Sequence, residues 1–194
     1  MKRIFPILIS LALLASCGKV YTVAYDTPFF KIDHDKKWVV FEYPGQLLDV
    51  KNAYTFALFT LAPVQITNAN DETELQYGFT VGSFPFNKIK EGQFDENLAP
   101  FPTNPALKLL KSEFVYFQGV KARWEEAEIS IPSAHNFNLR VDIPLDLGYI
   151  EIDAWGPFDD KQLADEYRQL ANSLIITAKN HFKDHPEAAK KGNP

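Results

Sequence analysis

Residues 137–143, Phe137-Asn138-Leu139-Arg140-Val141-Asp142-Ile143, and residues 148–154, Gly148-Tyr149-Ile150-Glu151-Ile152-Asp153-Ala154, are the stretch that decides the fold class. Phe137, Leu139, Val141 and Ile143 alternate with Asn138, Arg140 and Asp142, and Ile150, Ile152 and Ala154 alternate with Glu151 and Asp153. A period of two puts each set on one face of a strand. The connection over 144–148 holds Asp146 and Gly148, both suited to a turn. An antiparallel hairpin with one buried face is therefore predicted, its acidic side chains pointing to solvent.

Outward from this hairpin the pattern continues. Residues 114–117, 119–124 and 127–131 read as three further strands, rich in β-branched and aromatic residues. Earlier, 37–43 forms a similar run stopped by Pro44-Gly45, and 54–62 is apolar on both faces. In 75–84, Leu75, Tyr77, Phe79 and Val81 alternate with Gln76, Gly78, Thr80 and Gly82. The small face is either a place of close approach or a groove floor, and close approach is the expectation. Residues 85–105, with Pro85, Pro100, Pro102 and Pro105, predict a long irregular connection. Asn104-Pro105 then predicts a short helix with Leu107, Leu110 and Phe114 on one side.

Downstream, Asp159 or Asp160 caps a helix, and Gln162 stands three residues after Asp159 as a capping box requires. Leu163, Tyr167, Leu170 and Leu174 recur at helical spacing with Ala164 and Ala171 beside them, so one stripe faces a core. From Lys179 to Pro194 the chain is polar and reads as a tail.

The amino terminus carries a different signal. Lys2 and Arg3 precede an apolar run over 4–14 that is too short for a permanent span, and Leu14-Ala15-Ser16-Cys17 follows. This resembles the lipobox of bacterial lipoproteins. The resemblance implies cleavage before Cys17, acylation of that cysteine, and an envelope protein anchored to a membrane by lipid. Gly18 in place of an aspartate favours the outer membrane, facing the periplasm. Residues 1–16 are then a signal peptide, 17–31 a lipidated tether able to add a strand through Val20, Thr22 and Ala24, 32–178 one domain, and 179–194 the tail. Cys17 is the single cysteine, so no intramolecular disulfide forms.

The chain has 20 basic and 25 acidic residues, and loss of Lys2 and Arg3 takes its net charge from −5 to −7. Nucleic acid is excluded as a natural partner for such a charge. Residues 123–170, with 11 acidic groups against Arg123, Arg140, Lys161 and Arg168, hold all of that imbalance. It is a solvated face or a docking patch for a basic partner.

Gly119 before Val120-Lys121-Ala122, the long meander, Tyr149-Ile150-Glu151-Ile152 and the helix ending in Asn172-Ser173-Leu174-Ile175 together resemble the PsbP-like family over residues 37–177. The resemblance implies an α+β fold, an antiparallel β-sheet flanked by helices with a C-terminal helix packed on the sheet. It also implies a non-enzymatic role, with no metal or partner site whose residues match here.

Site signals are few. His181 and His185 have a metal-ligand spacing, yet lack a third ligand and precede Pro186. Asp33-His34-Asp35 offers an imidazole between carboxylates, without a nucleophile or a phosphate-binding loop, and reads better as a polar turn. Glu125, Glu126, Glu128, Asp142, Glu151 and Asp153 could gather as an oxygen-rich cation cluster, but exposed strand positions are commonly acidic. No cofactor and no metal are expected. A protein-binding surface is assigned instead to Glu151, Asp153 and Asp142 on the acidic face and to Phe86 and Phe101 in the proline-rich connection. The expectation is a lipid-anchored binding or structural module, not an enzyme, for another envelope or secreted protein, with an immunity or inhibitor role as one form. The rival expectation is a carrier whose Phe-rich interior holds an apolar ligand or lipid.

Overall fold

The computed structural model describes residues 22–42, 53–61, 77–85, 106–145 and 148–177. Among the described residues, ten strands and one helix follow in order: β1 Thr22–Asp26, β2 Phe30–Asp35, β3 Val39–Glu42, β4 Thr55–Thr60, β5 Gly78–Pro85, β6 Leu107–Phe117, β7 Val120–Ile131, β8 Ala134–Pro144, β9 Gly148–Pro157, α1 Lys161–Asn172 and β10 Ile175–Ile176. Seven strands form one antiparallel sheet in the order β3-β4-β5-β9-β8-β7-β6, and β1-β2-β10 form a smaller one. The architecture is α+β, with the helix on the larger sheet.

The alternation in β8 and β9 translates directly into register. Leu139 lies opposite Ala154 and Val141 opposite Ile152, so the apolar sets of both strands share one face. Onto that face α1 lays Leu163, Ala164, Tyr167, Leu170 and Ala171, all buried. Tyr167 is fully buried beside Trp38 and Phe79, and its hydroxyl donates to the Trp155 carbonyl at 3.0 Å. Phe30 and Ile32 of β2 complete the core, with Tyr25 edge-on to Phe59. The segment read as a tether therefore enters the fold: β1 begins at Thr22, and Phe29 and Phe30 are buried.

Close approach holds at the glycines of β5. A Cβ on Gly82 would sit 2.6 Å from the Phe84 ring and 2.8 Å from that of Phe56, and one on Gly78 would sit 2.8 Å from Trp155. The bare backbone there is covered by aromatic rings.

Three local expectations are corrected. Residues 107–117 are the strand β6, and no helix follows Pro105: Leu107, Leu110 and Phe114 mimic a helical stripe in a strand whose register with β7 shifts at a bulge between Leu109 and Lys111. Residues 119–124 and 127–131 are parts of one twelve-residue strand, β7, running through Glu125-Glu126. It is joined to β6 by a two-residue turn, Gln118-Gly119, in which both φ angles are positive, 50° and 84°. Finally, Asp160 is the helix cap, accepting from the Leu163 N–H at 2.9 Å. Gln162 consequently sits one residue early for a capping box and donates to Glu166 instead.

Candidate functional site

Two polar features stand out. The first lies on the face of the large sheet turned away from α1, where the register brings Arg123 opposite Asp142, Glu125 opposite Arg140, Arg140 opposite Asp153 and Asp142 opposite Glu151. Arg140 donates from Nε to Asp142 at 3.1 Å and from Nη2 to Glu151 at 3.0 Å. Burial opposes its charge, but the carboxylates of Asp142, Asp153 and Glu151 outweigh that and hold the guanidinium firmly protonated.

Asp142 is only 3% exposed, which corrects the expectation that it faces solvent beside Glu151 and Asp153. Arg123 and Glu125 are buried too, ion-paired with Nε 2.7 Å from Oε1. Burial pushes the Glu125 carboxyl up against the pull of Arg123 and Arg140. Burial, reinforced by Glu151 and Asp142, likewise pushes the Tyr149 hydroxyl up. Of the six acidic residues, Glu125, Asp142, Glu151 and Asp153 share this face interleaved with Arg123 and Arg140, while Glu126 and Glu128 lie on the opposite face, paired with Arg168 and with Lys108 and His135. Among the described residues, no group of three or more His, Cys, Asp or Glu side chains is placed to hold a metal ion.

The second feature is a groove of about 710 Å³ between the end of β2, the start of β3 and α1. Asp33 and Asp35 line one wall, Asp165 and Glu166 the other, and Trp38 lies buried at its base. Lys37 Nζ reaches across to Glu166 at 2.5 Å, and Lys161 is the second amine. Alternation along β2 explains the arrangement: Phe30, Ile32 and His34 face the core while Asp33 and Asp35 face away. His34 is buried edge-on to Phe59, its Nδ1 2.9 Å from the Asp35 backbone carbonyl, so the Asp33-His34-Asp35 run forms no acid–base pair. Asp165 stays 64% exposed although Arg168 contacts it at 2.6 Å.

Sequence reasoning did not assemble this groove, because its walls lie some 130 residues apart and neither wall has a motif. Cys17, Phe86, Phe101, His181 and His185 lie outside the described residues, as do the signal segment and the tail. Glu151 and Asp153 are partly exposed, adjacent to Arg140. No helix among the described residues is long and apolar enough to cross a membrane.

No family model and no curated protein matches the sequence. Among solved structures, the chain is similar to the cyanobacterial PsbP protein CyanoP from Synechocystis sp. PCC 6803, at 12% identity over 84% of this chain and 98% of that one, with a TM-score of 0.51. A protein of Bacteroides thetaiotaomicron VPI-5482 is similar at 11% identity over 79% of this chain and 47% of that one, TM-score 0.48. LpqN, a Mycobacterium tuberculosis protein involved in cell envelope biogenesis, is similar at 15% identity over 81% of this chain and 90% of that one, TM-score 0.46. What CyanoP shares with this chain along almost its whole length is the fold, and that fold is PsbP-like.

Proposed function

We propose that this chain is a lipid-anchored envelope lipoprotein that acts, without catalysis, as a binding module for a basic segment of another envelope or secreted protein. The observation that carries this reading is the groove beside α1. Four carboxylates and two amines line it, giving a negative, polar trough next to a buried indole. Eight of its ten lining residues are charged or amide-bearing, which suits a cationic peptide segment and not an acyl chain. Inhibition of a basic secreted effector is a specific form of this role. The acidic face at Glu151 and Asp153 contributes less, since Arg140 neutralises it.

Asp33 and Asp165 are exposed enough to be reversed to lysine without disturbing the core. A pull-down from envelope extract at low salt provides the partner, and its association rate with the Asp33→Lys/Asp165→Lys variant should fall by about tenfold at low salt and by much less at high salt. A rate indifferent to both salt and the double reversal removes the groove from the reading.

The anchor has its own test. Cys17→Ser removes the thiol that accepts the diacylglyceryl group, so fatty-acid labelling of the protein should disappear and the chain should leave the membrane fraction. Undiminished label in the variant would sink the anchor.

A further inference from the structure

Among the described residues, strand β6 is an outer edge of the seven-stranded sheet, and an edge strand offers a row of backbone N–H and C=O groups to any strand that can align with it. It also carries three of the eight large apolar side chains exposed among the described residues, Leu109, Leu110 and Tyr116. Between them Lys111 and Glu113 project from one face, 2.7 Å apart and each 45% exposed. We propose that this edge is a self-association surface: a second copy of the chain pairs β6 with β6 antiparallel, about a two-fold axis through Ser112.

Charge selects that register. In an antiparallel pair of identical strands, a two-fold axis through a residue places that residue opposite its own copy. Centring on Lys111 would oppose two ammonium groups, and centring on Glu113 would oppose two carboxylates, both unfavourable directly across strands. Centring on Ser112 places Lys111 of each chain opposite Glu113 of the other. It also sets Leu110 opposite Phe114 of the second copy at both ends of the contact. Both ion pairs and both apolar pairs arise from the same register. The bulge between Leu109 and Lys111 recurs in each copy and ends the pairing at both ends of the contact, so the contact is short and the dimer reversible.

Sedimentation velocity on the chain from Gly18 onward, which holds every described element and no cysteine, reads the association directly. Dimer is expected to appear as concentration rises toward about 100 μM, in keeping with a short, weak contact. Lys111→Glu places two carboxylates opposite each other twice per dimer and should weaken association about tenfold or more. Lys111→Glu/Glu113→Lys restores opposite charges in the exchanged order and should recover it. Ser112→Cys should form a disulfide with its own copy under mild oxidation, since directly opposed strand residues lie within bridging distance. All three sites are exposed, so circular dichroism should match wild type. A chain that stays monomeric throughout, a dimer untouched by Lys111→Glu, a charge exchange that fails to rescue, or a Ser112→Cys variant that forms no cross-link would each overturn the proposal.

Discussion

Leu170→Asp is expected to remove a large part of the protein's stability. Leu170 is 4% exposed on the stripe that α1 lays on the sheet, between Tyr167 and Ala171, which are fully buried. An aspartate there loses the leucine's buried methyl groups and strands a carboxylate on the apolar stripe by which α1 packs on the core. The combined cost is about 3–5 kcal/mol, set against a total stability of about 5–15 kcal/mol for a domain of this kind. Chemical denaturation should show a midpoint far below wild type, or no cooperative transition at all. Gln169→Asp, one residue earlier on the exposed side, should cost about 1 kcal/mol or less. Equal midpoints for the two variants would show that α1 does not use this stripe.

That stripe was legible in the sequence for the same reason that β8 and β9 were. Each presents one apolar face to one core, so burial and periodicity agree. The elements that misled are those in which they disagree. β6 is an edge strand with six consecutive exposed residues from Lys108 to Glu113, and its bulge breaks the period of two. Nothing then remained to outweigh the helical spacing of Leu107, Leu110 and Phe114.

β7 failed in the opposite way, because both of its faces are buried through the middle. Glu125-Glu126 looks like a solvated break between two strands, yet Glu125 meets Arg123 on one face and Glu126 meets Arg168 on the other. A carboxylate's partner forty-two residues away leaves no local trace. The groove was hidden for the same reason: Asp33 and Asp35 acquire their meaning only when α1 brings Asp165 and Glu166 alongside.

The Glu126–Arg168 pair yields the second large expected effect. Arg168 donates to Glu126 through both Nε, at 3.0 Å, and Nη2, at 2.7 Å, while the Trp124 indole N–H donates to the same carboxylate at 2.9 Å. The guanidinium also lies over Phe137, 5.1 Å from the ring centre. The pair thus fastens α1 to β7. Burial alone would raise the Glu126 carboxyl, but the hydrogen bonds from Arg168 and Trp124 prevail and hold it below the ordinary glutamate value. A depressed carboxylate contributes stability that is present above the unfolded-state value and is lost as pH falls through the folded-state value.

Arg168→Ala should therefore cost about 2–3 kcal/mol at neutral pH. This is below the full range for breaking a buried pair, because Arg168 is about one-third exposed and partly screened. In the variant, burial is opposed only by the Trp124 hydrogen bond and the Lys111 ammonium, and the Glu126 carboxyl is expected above its ordinary value. Between that raised value and the unfolded-state one, the variant gains stability as pH falls, while wild type gains nothing from this group. The gap between the two proteins should accordingly narrow on acidification, with denaturation midpoints converging toward the ordinary carboxylate range. A gap of constant size from neutral pH down to that range would mean that Glu126 is not the ionised partner through which Arg168 holds the helix to the sheet.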